Sequence, residues 1–256
     1  MDLPIELYGI VATKLAEAYG PRALMHSLGA VSRALRGAAK AAFATDPRAW
    51  VVTSAMWYAR AFTGIKRLDA RGIWPNDASA IPSSVEDLRV SRFDCVRNLA
   101  HLALRSIDVS TNTEGMYTLD AFAAMPTLRS LRVASGPNLV DVTALARLRS
   151  LESLCLGECW SLTSIAAVSS LANLTCLDLS FATNVTELPE LPSGLRSLRL
   201  HCFRGIENIK PITALSDLVE LDLSLCSGID DVSPLLTLPN LAHLRFATPM
   251  FFIQFM

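Results

Sequence analysis

An α/β solenoid is the fold this sequence predicts, and three observations predict it. The phrase Leu-x-x-Leu-x-Leu recurs, most clearly at Leu151/Leu154/Leu156, Leu174/Leu177/Leu179, Leu195/Leu198/Leu200 and Leu218/Leu221/Leu223. With the first apolar position of each copy as zero, the register runs 104, 128, 151, 174, 195, 218, 241, in steps of 24, 23, 23, 21, 23 and 23. Steps of about 20 to 29 residues are those of stacked leucine-rich turns. The composition agrees: 51% of the 256 residues are hydrophobic and 18% charged, which supports a sizeable core and argues against disorder.

Residues 1–50 follow another pattern. Leu3-Pro4-x-Glu6-Leu7-x-x-Ile10-x-x-x-Leu15 places proline near a helix start and apolar residues at helical spacing. A second series, Leu24, Leu28, Val31 and Leu35, precedes an alanine-rich stretch and Trp50, so three small helices are expected. Residues 51–84 read as a helical junction containing a degenerate first turn, Ile65-x-x-Leu68-x-Ala70. The array proper, 85–256, opens with Val85-x-x-Leu88-x-Val90.

Within each Leu-x-Leu the two leucines point inward and the residue between them outward, because side chains alternate along a strand. Successive turns then pair as short parallel strands on the concave face of a right-handed leucine-rich-repeat superhelix. Position 8, Cys159 and Cys226 in two turns, ends the strand and turns inward toward loop backbone groups. Apolar residues continue at position 11 (Leu139, Leu162, Val185, Ile206, Ile229) and at position 14 (Val142, Ile165, Leu188, Ile209, Val232). Position 17 and position 20 continue the series, and this every-third spacing fits a short helical or 3₁₀ arc returning to the next strand. Leu188-Pro-Glu-Leu191-Pro-Ser-Gly-Leu195 is the exception, since its two prolines favour an extended arc. After Leu241-x-x-Leu244-x-Phe246, the apolar residues 249–256 either cover the last strand or belong to an array that continues.

The outward position between the strand leucines forms a column of alternating sign: Asp69, Arg89, Asp108, Arg132, Cys155, Asp178, Arg199, Asp222, Arg245. Such charges either pair between turns or also select a ligand. The next outward column is mostly small, with His201 among serines, and Glu158, Phe181 and Leu225 flank it. Phe181 and Leu225 either anchor a partner or pack on adjoining loops. The expected partner-binding face is therefore Arg89, Asp108, Arg132, Glu158, Asp178, Phe181, Arg199, His201, Asp222, Leu225 and Arg245.

Chemistry is not expected from this chain. Motifs for phosphate loops, nucleophile elbows, zinc proteases and dinucleotide folds are absent, and His26, His101, His201 and His243 are scattered. The six cysteines include no CxxC pair, so no catalytic residue, cofactor or metal ligand is assigned. A formal charge of -1 and no basic run disfavour nucleic acid. With no signal-like start and no apolar span, the expectation is a protein without integral membrane association, in the cytoplasm or nucleus. The sequons Asn173-Leu-Thr175 and Asn184-Val-Thr186 would matter only in a secreted protein.

The N-terminal residues Leu3-Pro4 with Glu6 and Leu7, then Val31-Ser32-x-x-Leu35-Arg36, then Trp50, resemble the F-box, and the cysteine-containing turns LESLCLGECWSLTSI and LVELDLSLCSGIDDV are similar to those of F-box proteins with leucine-rich repeats. That resemblance implies a substrate-recognition subunit of an SCF-type cullin-RING ubiquitin ligase, with a protein substrate held on the repeats. It implies a Skp1-like adaptor engaging Leu3, Pro4, Ile10, Leu15, Leu28, Val31 and Leu35. The same apolar pattern also suits a plain helical cap on a signalling or structural scaffold, because the open end of a solenoid requires covering.

Overall fold

The computed structural model describes residues 51–52, 65–71, 81–91, 96, 99–109 and 115–246. Among these, ten strands form one sheet in chain order. They are β1 (Val51–Val52), β2 (Arg67–Asp69), β3 (Asp87–Val90), β4 (Ser106–Val109), β5 (Ser130–Val133), β6 (Ser153–Cys155), β7 (Cys176–Asp178), β8 (Ser197–Arg199), β9 (Glu220–Asp222) and β10 (His243–Arg245). Every neighbouring pair is parallel. The register brings Leu68, Leu88, Ile107, Leu131, Leu154, Leu177, Leu198, Leu221 and Leu244 into one column. All of these except Leu244 are buried, so β2 to β9 each turn a leucine, or in β4 an isoleucine, into a single continuous core.

The return arcs follow the every-third spacing. Thr143–Arg147, Ala166–Ser170 and Ser233–Thr237 are 3₁₀ helices, Asp120–Phe122 is a shorter one, and Lys210–Thr213 is a single α-helical turn. Leu145, Val168, Ile212 and Leu235 anchor them from position 17 and are buried. Residues 188–195 contain no helix, as their prolines dictate. Before four of the arcs a polar side chain at position 13 accepts the N–H two residues on: Asp141 from Thr143 (2.7 Å), Ser164 from Ala166 (3.4 Å), Asn208 from Lys210 (3.0 Å) and Asp231 from Ser233 (2.8 Å). Where the arc is extended, position 13 is Glu187.

Two turns come close enough to exclude any side chain. A Cβ on Gly205 would lie 2.5 Å from the Val185 carbonyl oxygen, and one on Gly228 would lie 2.6 Å from that of Ile206. At the same position 10, Ser161 donates to the Pro137 carbonyl and Asn184 to the Trp160 carbonyl at 2.6 Å. Asn173 likewise donates to the Arg149 carbonyl at 2.9 Å. Both sequon asparagines are thus bonded into the preceding turn.

The start of the array differs from the sequence reading. The degenerate turn at 65–70 is a full member, with Ile65, Leu68 and Ala70 buried and β2 paired to β3. Val51 and Val52, expected within a helical junction, instead form a strand whose partners are Leu68 and Asp69. Two consecutive β-branched residues favour the extended backbone, and the free edge of β2 supplies the hydrogen bonds. Residues 1–50, including every residue assigned to adaptor binding, lie outside the described residues.

Candidate functional site

The strand register builds the charged column expected from the sequence. Asp69, Arg89, Asp108, Arg132, Cys155, Asp178, Arg199, Asp222 and Arg245 are consecutive partners across β2 to β10. Their environments are unequal. Asp178 accepts from the Ser180 N–H at 3.0 Å and from its hydroxyl at 2.6 Å, and Asp222 accepts from the Ser224 N–H at 2.9 Å. These carboxylates close the strand end on their own backbone and are largely covered, at 19% and 16% exposure. The arginines of the following turns reach back to them, Arg199 to Asp178 at 3.9 Å and Arg245 to Asp222 at 3.8 Å, while remaining 52% and 80% exposed.

Two members of the column do not face outward freely. Asp69 is buried because Arg71, two residues on, folds over it with contacts of 2.6–3.2 Å from its guanidinium and 3.1 Å from its N–H. Burial alone would raise the Asp69 pKa, but the Arg71 hydrogen bonds and the charges of Arg71 and Arg89 outweigh it and hold the carboxyl below its ordinary value. Cys155 is also buried, and burial followed by the Asp178 charge pushes its thiol up.

Beyond the strand ends the chain forms a shoulder with a backbone geometry the sequence did not announce. Ser135, Glu158, Phe181, Cys202 and Leu225 have φ of 60°, 60°, 63°, 56° and 62°, and all occupy position 7. Four of their N–H groups donate to the carbonyl of the next turn: Ser135 to Gly157, Glu158 to Ser180, Phe181 to His201 and Cys202 to Ser224, at 2.8–2.9 Å. This ladder extends the sheet past its strands and offsets the left-handed backbone cost. The reversal sends position 8 inward, where Cys159, Ala182, Phe203 and Cys226 are buried. As expected, the thiols there serve loop carbonyls, Cys159 facing Val133 at 3.8 Å and Cys226 facing Leu200 at 2.9 Å.

On the shoulder Phe181 and Leu225 stand 36% and 38% exposed. Phe181 meets the His201 ring edge-on, with centroids 5.0 Å apart, so phenyl and imidazole form one raised feature beside the Asp178/Arg199 pair. Glu158 is half-buried and accepts from the Ser135 hydroxyl at 2.5 Å, which ties it to the neighbouring turn. Trp160, two residues past the shoulder, is 51% exposed and was not identified from the sequence.

A further outward column, at position 2, was also missed: Arg67, Asp87, Ser106, Ser130, Ser153, Cys176, Ser197, Glu220 and His243 are register partners. The signal was present, since position 2 shares the face of position 4 by strand alternation. It carries inter-turn contacts, Arg67 with Asp87 at 2.8 Å and the Ser197 hydroxyl with Glu220 at 3.1 Å, on either side of a small-residue centre. Among the described residues no group of three His, Cys, Asp or Glu could hold a metal ion, and no helix is long and apolar enough to cross a membrane. What this arrangement offers is a rigid face of guanidinium donors, small residues and an apolar shoulder.

No family model matches the chain. Over 124 residues, 48% of its length, it is 32% identical to two proteins of Arabidopsis thaliana named disease resistance protein RPS6, and the match spans 11% of their length. Among solved structures it is similar to a leucine-rich-repeat protein of Leptospira interrogans, with a TM-score of 0.52 and 18% identity over 78% of this chain and 60% of that one. Internalin C2 of Listeria monocytogenes gives 0.46 and 22% identity over 72% and 78%, and the leucine-rich-repeat domain of the type III effector XopL gives 0.49 and 18% over 75% and 79%. The Leptospira likeness shows the leucine-rich-repeat solenoid.

Proposed function

We propose that this chain is a non-catalytic leucine-rich-repeat scaffold that recognises another protein through the outward face of its sheet. The observation that carries this reading is the asymmetry of the charge column. Asp178 and Asp222 are engaged by their own backbone, whereas Arg199 and Arg245 stand exposed beside the apolar shoulder of Phe181 and Leu225. Aromatic anchors next to arginine forks, on a backbone that need not rearrange, are the chemistry of protein interfaces. The similarity to a disease resistance protein supports a signalling scaffold. Proteins captured from extract by the parent chain should be lost with Phe181→Ala/Arg199→Ala while the thermal midpoint stays unchanged. Equal capture by a folded variant would remove this face from consideration.

A narrower form makes the scaffold the substrate-recognition subunit of an SCF-type ubiquitin ligase, acting in the cytoplasm or nucleus. Its support is the N-terminal resemblance, in which Leu3, Pro4, Ile10, Leu15, Leu28, Val31 and Leu35 meet a Skp1-like adaptor. The purified chain should then bind such an adaptor and lose it when Leu3, Pro4 and Ile10 are replaced together. A folded parent chain that binds no adaptor leaves only the scaffold reading.

A further inference from the structure

The opposite rim of the sheet, where the strands begin, carries a second charged column at position 1: Lys66, Glu86, Arg105, Arg129 and Glu152. Their backbones are stacked, with Arg105 donating to the Glu86 carbonyl, Arg129 to that of Arg105 and Glu152 to that of Arg129, each at 2.7 Å. Arg105 and Arg129 are therefore direct neighbours about 4.8 Å apart along the sheet, with no carboxylate of the column between them. Each is drawn to the opposite side. Arg105 Nε lies 3.2 Å from Glu86 Oε2, and Arg129 pairs with Glu152 Oε1 at 2.6 Å. Glu86 also holds Lys66, so three cations meet two carboxylates. Arg105 and Arg129 line a groove of about 390 Å³, together with Lys66, Glu86, Pro126, Thr127 and Ser150 among others, so one carboxylate shares the groove with three cations.

We propose that this groove binds a tetrahedral dianion of the phosphate monoester class between Arg105 and Arg129. A guanidinium has five N–H donors, and the contacts with Glu86 and Glu152 engage one nitrogen of each arginine. This leaves the other donors of each fork for an incoming anion. A phosphate group brings nearly two charges and three acceptor oxygens, enough to satisfy both forks, whereas a carboxylate brings one charge. Further along the same column Arg196 stands between Thr175 and Val219, so adjacent arginines occur there only at the turns of Arg105 and Arg129. The site is separate from the outward face proposed for protein recognition and does not depend on it.

Isothermal titration of the full chain with inorganic phosphate, against acetate at matched ionic strength, reads the site. Saturable phosphate binding is expected, weaker for acetate, reduced about tenfold or more in Arg105→Gln/Arg129→Gln and unchanged in Arg196→Gln. A peptide carrying one phosphoserine, compared with its serine counterpart, separates the sources. Tighter binding than inorganic phosphate means that the anion arrives on a protein, and equal binding means a free anion. Absent binding of both probes, or binding indifferent to the double substitution, overturns the proposal. Should the double variant unfold, Glu86→Gln tests the same point by raising the local positive excess: phosphate should bind more tightly, and unchanged or weaker binding counts against the site.

Discussion

At the scale of single residues, the shoulder positions show how backbone geometry can override side-chain preference. Ser135, Glu158, Phe181, Cys202 and Leu225 share no chemistry, yet all five take the left-handed conformation. That is why the turn was invisible in the sequence: glycine or asparagine would have signalled it. A consequence is an inverted order of substitutions at Leu225. Leu225→Val removes one methylene but places a β-branched residue at φ 62°, where leucine, unbranched at Cβ, already bears the left-handed cost, so it should destabilise further through added backbone crowding. Leu225→Gly removes the whole of a side chain that is already 38% exposed and relieves the strain. Urea midpoints should place the valine variant below the glycine variant. The inward cysteines, by contrast, were legible from their place one residue on, and their burial has a pH signature. Cys159 is pushed up to about 12 and Cys226 up to about 11, from an ordinary 9.0. The folded chain keeps both protons where the unfolded chain has released them, so this contribution is intact below pH 9 and falls as pH rises toward 12. Urea midpoints near pH 8 and near pH 10 should differ in that direction, and Cys159→Ala/Cys226→Ala should flatten the difference.

At the scale of elements, the apolar spacing predicted the return arcs, and a second periodic signal sets where they begin. Asp141, Ser164, Asn208 and Asp231 recur at position 13 and each receives the N–H two residues on. These residue types could have been read as a column of Asx and Ser turns one residue ahead of each arc's N-cap, because short polar side chains compete for nearby backbone donors. Among the turns whose return arcs are described throughout, the one that has Glu187 there, followed by Pro189 and Pro192, is the one without a helix. Asn208→Ala removes one side-chain to backbone hydrogen bond and should therefore cost about 1 kcal/mol, measured by denaturant unfolding, with its effect on amide exchange concentrated at Lys210–Thr213. The two-residue β1 was not legible for a different reason. Val51–Val52 pairs with β2 without a Leu-x-x-Leu-x-Leu copy of its own, so no repeat pattern marks it.

At the scale of the whole molecule, the outward columns were predictable because strand alternation fixes them once the leucine register is known. Which charges remain available was not, since that depends on bonds such as Ser180 and Ser224 to the aspartates. The same one-dimensional construction distributes stability. A turn gains its core contacts only from the turns beside it, so an interior residue is buried from two sides and a terminal one from fewer. Leu177 in β7 is fully buried, while Leu244, its register equivalent in β10, is 45% exposed. Leu177→Ala should cost about 2–5 kcal/mol through lost burial and the cavity left behind. Leu244→Ala should cost well under half as much, because much of that side chain already meets solvent. Denaturant curves give the two values, and amide exchange should show protection falling from β7 toward β10. If instead the two substitutions cost the same, Leu244 must be covered in solution. Arg245 and the neighbouring face would then be less accessible to a partner than the described residues make them.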